Sequence, residues 1–253
     1  MNRLLLLPLL VVLAVPALAQ DDEAMPTFIV STHQCDMGGL EALIEQDRER
    51  VLPIMQDLVD EGMLMSAGEA VHQWGDEYNL ITWQSGADHA SALAGWQAMV
   101  ERYNEAYPDD DLFIETCPRH RDYFYTRRAW VSMESAPPVG EGNTPTLAIS
   151  YFSCDFPAIG DLVEDYREKS MPISQALVNE GMMGSEGVYT HDWGDEWNLV
   201  ITRTARDLPS LLEALDAFGE RYEAEHGEMA RSPLEDHCTA HKDNIYTMVM
   251  AAQ

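Results

Sequence analysis

Residues 72–79 read HQWGDEYN and residues 191–198 read HDWGDEWN, eight positions spelled almost alike 119 residues apart. The same offset extends upstream, where PTFIVSTHQCD from Pro26 aligns with PTLAISYFSCD from Pro145 and no gap intervenes before the WGDE stretch. Along the way Arg48-Glu49 meets Arg167-Glu168, Pro53 meets Pro172, and Glu61-Gly62-Met63 meets Glu180-Gly181-Met182. Downstream, CPRHRDYFYT from Cys117 matches CTAHKDNIYT from Cys238 once two residues are inserted. The chain is therefore a tandem repeat of about 100 residues per unit, far longer than solenoid periods of about 20 to 50, so each unit is a domain-sized fold. The repeats occupy residues 26–130 and 145–250, and residues 131–144 form a linker rich in Pro and Gly.

Within one copy the hydrophobic period changes along the chain. TFIVSTHQC is β-branched and strand-like, whereas the segment from Gly39 to Gly62 sets Leu40, Leu43, Ile44, Val51, Ile54 and Leu58 on a helical face. Pro53 lacks a backbone donor and is expected to kink or interrupt that helix, and Gly62 suits its C-terminal cap. MLMSAGEAVHQW and YNLITWQS are two strands of a hairpin, with a tight turn at Gly75-Asp76-Glu77. A second helix places Leu93, Trp96, Met99, Val100 and Tyr103 on one face and stops at Pro108; Leu212, Leu215, Phe218 and Tyr222 repeat that face in the second copy. A last strand, HRDYFYT, closes the unit. The order is βαββαβ, the ferredoxin-like arrangement, and the fold class is α+β. Such a sheet carries helices on one face only. The other would leave Phe28 and Val30, or Leu147 and Ile149, in water unless the second copy covers it.

Repeated βαββαβ units with a broken first helix, an E-G-M lead into the second strand and a hairpin bearing aromatic and acidic residues resemble the dimeric α/β-barrel superfamily. That group includes antibiotic-biosynthesis monooxygenase-like, NIPSNAP-like and stress-responsive barrel proteins. The resemblance covers residues 26–130 and 145–250. It implies that the two ferredoxin-like repeats pack sheet to sheet as an intrachain pseudo-dimeric α/β barrel whose interior holds a small ligand. Members range from cofactor-free oxygenases and isomerases to haem enzymes and non-catalytic proteins, so the fold leaves the activity open.

Residues 1–19 have the layout of a cleavable export signal: Arg3 precedes the apolar run LLLLPLLVVLAV, and Ala17-Leu18-Ala19 follows. A membrane anchor is the competing reading, but the run is shorter than the roughly 20 apolar residues a span needs, and acidic QDDE follows at once. The expectation is cleavage after Ala19, a secreted or periplasmic location and no membrane attachment afterwards. The chain has 44 acids against 15 bases, a formal charge of -29. Such a surface repels phosphate backbones and anionic lipid, which excludes nucleic acid and membrane as partners. The acids are spread along the whole chain, as a solubility or salt adaptation would have them; a cation site remains open beside that reading.

Four cysteines permit three pairings. Cys35 ends the first strand and Cys117 precedes the last strand of the same copy; these strands are antiparallel neighbours in the ferredoxin-like order, which brings the two residues together. Cys154 and Cys238 repeat the relation. Bonds Cys35–Cys117 and Cys154–Cys238 are therefore predicted for an oxidising compartment. Each contributes roughly 4 kcal/mol in the loop-entropy model. The alternative is metal, because Cys117-x-x-His120 and Cys238-x-x-His241 have ligand-like spacing that Cys35 or His72 would complete.

The repeated polar residues are the candidate site. Trp74, Asp76, Glu77 and Asn79, with Trp193, Asp195, Glu196 and Asn198, are candidates for ligand binding, and His72 and His191 for proton transfer. Ordinary turn chemistry and packing explain the same residues without a ligand. His120 and Asp122, with His241 and Asp243, alternate along the last strand and so share a face; should it point inward, each copy supplies an acid-base pair to one cavity. A His-Asp pair that steadies the strand is the alternative. Arg48-Glu49 and Arg167-Glu168 read as exposed or interfacial ion pairs of small worth, and His33, replaced by Phe152 in the second copy, as structural. There is no G-x-S-x-G elbow, phosphate-binding Gly loop, H-E-x-x-H or C-x-x-C-H. No cofactor and no metal are predicted.

Two functions from different classes fit. One is a small-molecule-binding or accessory protein; the alternative is a cofactor-light oxygenase or isomerase-type enzyme with a barrel pocket lined by His and Asp. A pocket lined by those polar groups favours the enzyme, and an apolar, filled barrel favours a scaffold.

Overall fold

A computed structural model of the chain describes residues 25–75, 77–134, 139–140, 142–194, 196–227 and 233–253. The export signal expected at residues 1–19, linker residues 135–138 and 141, and the turn residues Asp76 and Asp195 lie outside the described residues. The first repeat runs β1 (Thr27–Gln34), α1 (Met37–Asp60), β2 (Ser66–Trp74), β3 (Leu80–Gly86), α2 (His89–Ala106), a short α3 (Leu112–Thr116) and β4 (Arg119–Ser132). The second runs β5 (Thr146–Cys154), α4 (Ile159–Lys169), α5 (Met171–Asn179), β6 (Ser185–Trp193), β7 (Leu199–Ala205), α6 (Leu208–His226), a short α7 (Pro233–His237) and β8 (Cys238–Ala252).

Each repeat forms an antiparallel sheet in the ferredoxin-like order, β4-β1-β3-β2 and β8-β5-β7-β6. The two sheets are not simply stacked. Their free edges pair, β2 with β8 and β4 with β6, and close one eight-stranded antiparallel barrel. Closure satisfies the backbone groups that four edge strands would otherwise present to water or to another chain. Side chains pin both seams. Thr126 donates to Asp192 at 2.5 Å, and His89 Nε2 lies 3.1 Å from the same carboxylate; at the other seam Gln73 bonds Thr247.

Phe28, Val30, Leu147 and Ile149, the residues expected to need a cover, point into the barrel beside Ile81, Tyr125, Tyr189, Val200 and Met248. The helices pack on the outside over separate clusters, such as Leu40 and Leu43 with Leu80, or Ile173 and Leu177 with Met183. The α1 helix runs unbroken through Pro53, held by Val51, Ile54, Met55 and Leu58 packing on Leu64 and Ala67. In the second repeat the expected break occurs at Ser170, so Pro172 falls in the first turn of α5, where a missing N–H is no loss.

The face expected of α2 is rotated. Trp96 and Val100 are exposed, and the buried positions are Ala92 and Gly95. Their small size lets the helix lie close: a Cβ on Gly95 would strike Leu64. The paired arginines of α1 and α4 are interfacial and reach backbone carbonyls of the opposite repeat, not the adjacent Glu49 and Glu168, while Arg167 also lies 3.7 Å from Glu164 on its own helix. Arg48 donates to the Val249 carbonyl at 3.4 Å and Arg167 to that of Arg128. Both disulfides form as predicted, Cys35–Cys117 and Cys154–Cys238, so the thiolates a Cys-x-x-His metal site requires are committed to each other. No helix among the described residues is long and apolar enough to cross a membrane.

Candidate functional site

Strand alternation sends every second side chain inward. Because β1 pairs Val30 with both Trp83 of β3 and Tyr123 of β4, those residues share the interior face, and Ile81, Ser85, Tyr125 and Arg127 follow two by two. In the second repeat Leu147, Ile149 and Tyr151 of β5 and Val200, Thr202 and Thr204 of β7 do the same. These side chains do not fill the space. They leave a cavity of about 910 Å³ that opens where β1 and β5 begin, with Val139 and Pro145 at its rim.

Two glycines at repeat-equivalent positions shape the wall. A Cβ on Gly187 would sit 2.6 Å from the Tyr189 hydroxyl and 2.8 Å from Trp130 Cε3. One on Gly68 would sit 2.7 Å from Trp83 Cη2 and 2.6 Å from the Met250 carbonyl. The aromatic rings therefore lie flat over bare backbone, which widens the lumen. Burial pushes the Tyr189 phenol up to about 12, so it stays protonated at neutral pH.

Below the cavity the barrel is packed. Tyr123, Asn244 and Tyr246 are buried there. The His72 ring lies edge-on to Tyr246 at 5.6 Å, and that of His191 to Tyr125 at 6.0 Å. Each contact crosses between repeats, and the Nε2 of both histidines is buried without a hydrogen-bond partner among the described residues. The far end carries a cation over an aromatic ring from each repeat, Arg121 over Tyr78 at 5.4 Å and Lys242 over Trp197 at 5.0 Å.

The repeated octapeptide is thereby explained largely as architecture. Gly75 and Gly194 have φ of 141° and 145°, and they press against the last strand of the opposite repeat, at Asn244 and Tyr123. Asn79 accepts from the Cys35 N–H at 2.8 Å and donates to the Cys35 carbonyl at 2.9 Å; Asn198 does the same for Cys154 at 2.8 and 2.7 Å. These two residues fasten each hairpin to the neighbouring disulfide. Trp74, Trp193, Glu77 and Glu196 are exposed at the tips, far along the strands from the cavity mouth.

None of the six acid-base candidates lines the cavity. His72 and His191 lie inside the barrel beneath it. The other four point outward: His120 Nε2 is 3.3 Å from Asp122 Oδ2, His241 Nε2 is 3.9 Å from Asp243 Oδ2, and all four side chains are at least half exposed. His33 packs against Phe113 and Thr82, and burial lowers its pKa to about 4, which keeps the imidazole neutral. No histidine stands among the described lining residues, so the cavity wall does not offer the axial nitrogen that holds haem in many haem proteins. No group of three or more potential metal ligands occurs among the described residues.

Sequence reasoning missed Trp83, Trp130, Arg127 and Tyr189. For Trp83 and Arg127 the signal was the alternation of side chains in LITWQS and YTRRAW; Trp130 has the opposite parity to Arg127 and joins it in the lumen through the register shift between Arg127 and Ala129.

No protein-family model and no curated protein matches the sequence. Solved structures match the fold over nearly the whole chain. A monooxygenase-like protein of Lactobacillus acidophilus NCFM superposes with a TM-score of 0.60 at 10% identity, covering 90% of this chain and 96% of that one. An anthrone oxidase-like protein gives 0.52 at 11% identity, with 91% and 93% covered. Chlorite dismutase from Candidatus Nitrospira defluvii gives 0.53 at 9% identity, with 89% and 92% covered. At such identities the likeness is one of fold. The chain shares the fold of these α/β-barrel proteins, with both halves of the barrel supplied in tandem by a single polypeptide.

Proposed function

We propose that the protein is exported and binds a small, predominantly apolar molecule inside the barrel. The observation that carries this reading is the cavity itself: about 910 Å³, within the 300 to 1,000 Å³ common for ligand sites, and walled by Phe28, Trp83, Trp130, Leu147 and Met248. An unfilled apolar lumen of that size has no structural use in a barrel that two disulfides and two paired seams already close. Export is supported by the layout of residues 1–19 and by the disulfides.

The test uses Thr202, which lines the cavity at the position equivalent to Trp83. Thr202→Trp places in the second repeat a ring that the first repeat already accommodates. Native mass spectrometry of protein from its source compartment should show a bound small molecule that the variant lacks. Wild type that carries no such mass and binds no apolar fluorophore refutes the reading.

An oxygenase or isomerase-type enzyme is the second reading. It is favoured by the edge-on contact of His191, whose Nε2 has no hydrogen-bond partner among the described residues, behind Tyr125 on the cavity wall, an arrangement suited to accepting a proton. On the binding reading a released ligand is recovered unchanged after incubation in air; a mass change in it establishes chemistry instead.

A further inference from the structure

We propose that the cavity is built for an anion, an aromatic and largely apolar molecule carrying one acidic group, with Arg127 holding the acid and the aromatic wall holding the rest. This rests on the ligand-binding reading above and names the class of ligand.

Arg127 projects inward from β4, directly across the strand pair from Tyr189. Its guanidinium lies 5.4 Å from the Trp130 ring centroid and 6.0 Å from that of Phe28, a half-buried cation resting on two aromatic faces. It has no carboxylate partner among the described residues. In a chain with 44 acids for 15 bases that is a pointed omission. Elsewhere arginines take acids readily: Arg102 with Glu61 at 2.6 Å, Arg221 with Glu180 at 2.6 Å and Arg203 with Glu186 at 2.5 Å. Glu134 and Glu213 reach the cavity rim, yet neither comes within the 4.0 Å ion-pair distance of Arg127. A half-buried guanidinium with no carboxylate partner among the described residues, set against aromatic rings, favours a planar anion that can take two of its donors at once.

The duplication sharpens the inference. Met248 stands at the position of Arg127 in the second repeat, Thr202 at that of Trp83 and Ala251 at that of Trp130. A barrel with near-twofold symmetry in its backbone thus has a one-sided lumen: Arg127 with the rings of Phe28, Trp83 and Trp130 on one wall, and Leu147, Thr202 and Met248 with the single ring of Tyr151 on the other. A second lining cation, Arg206, is exposed and pairs with Asp207 at 3.2 Å, so Arg127 is the cation left for one acidic group of a ligand, and the opposite wall fits an uncharged remainder. The protonated Tyr189 phenol beside Arg127 is a second donor on the same side.

Two fluorophores that differ by one acidic group test this: anilinonaphthalene sulfonate and its uncharged parent phenylnaphthylamine. Both are titrated into the disulfide-intact protein and into Arg127→Met, which copies the second repeat, and Arg127→Lys. A charge-assisted hydrogen bond contributes about 1.5 to 3 kcal/mol. The ratio of sulfonate to parent affinity should therefore fall about ten- to a hundredfold in Arg127→Met and by less in Arg127→Lys. Using the ratio removes any general loss of fold or cavity volume. A ratio within twofold of wild type in both variants overturns the anion seat while leaving the cavity reading standing. Failure of wild type to bind either probe, or undiminished binding by Thr202→Trp, overturns both.

Discussion

Asp47 of α1 and Glu69 of β2 are buried together between helix and sheet, with hydrogen bonding between the two carboxyl groups and no buried cation beside them among the described residues; the charges of Arg50 and Arg48 offset the burial only in part. Burial, followed by the charge of Asp110, raises the Asp47 pKa from 3.8 to about 7; burial, followed by the charge of Asp47, raises that of Glu69. A carboxyl group whose folded pKa lies above its unfolded value binds more protons folded than unfolded. Its contribution is favourable below the unfolded pKa and is lost as pH rises through the folded one, here between about pH 4 and 7. Three pKa units correspond to about 4 kcal/mol, an upper bound for the destabilisation the pair imposes at pH 8. Asp47→Asn keeps the shape and a donor toward Glu69 and removes the charge. Urea unfolding of the oxidised proteins at pH 4, 6 and 8 should show a difference near zero at pH 4 that grows to several kcal/mol in favour of the variant at pH 8. At about 2 to 4 °C per kcal/mol for a chain of this size, thermal midpoints should separate by roughly 10 °C. Asp47→Asn also removes the charge that raises the Glu69 pKa, so the difference reads the pair as a unit, while titrations away from the pair are common to both proteins and cancel. A difference that is flat from pH 4 to 8, or that favours wild type as pH rises, refutes a shared buried proton.

The second repeat solves the same burial with a cation, and Glu186→Gln should be destabilising by roughly 3 kcal/mol, since it strips the charge from a carboxylate that accepts from Arg203 at 2.5 Å, Ser174 at 2.8 Å and Tyr166 at 2.9 Å and leaves Arg203 uncompensated. Calorimetry at neutral pH reads it. Replacing Cys35 and Cys117 together by serine should lower stability by about 4 kcal/mol, because a loop with a sequence separation of 82 is released in the unfolded chain; equal unfolding midpoints for this variant and wild type would contradict that. Gly187→Ala should displace Trp130 and Tyr189 into the lumen, lowering stability by about 1 to 3 kcal/mol and weakening fluorophore binding together. Loss of stability without loss of binding would mean the rings move outward instead.

The sequence carried the architecture because architecture is written twice in it. Two copies of PT-x3-S-x3-CD and of WGDE mark the same elements at one offset, the final Cys segment repeats two residues later, and local periodicity then assigns strands and helices. Even so, Pro53 was misread, since whether a proline breaks a helix depends on the packing around it rather than on the proline. The site was less legible. His120 and Asp122 were correctly paired on one face of β4, but alternation yields two faces and does not say which is inside. Both faces of that strand mix polar and aromatic residues, so hydrophobicity did not decide either.

By itself, then, the sequence determined the duplication, the βαββαβ order and the disulfide pairing, all set by local pattern or by neighbouring strands of one repeat. Only the tertiary structure decided that β2 pairs with β8 and β4 with β6, that the octapeptides clamp opposite repeats, and that Arg127 faces an open lumen. Those features depend on registers between strands of different repeats, far apart in the sequence, and on how closed curvature divides side chains between lumen and helices, quantities that no local period encodes.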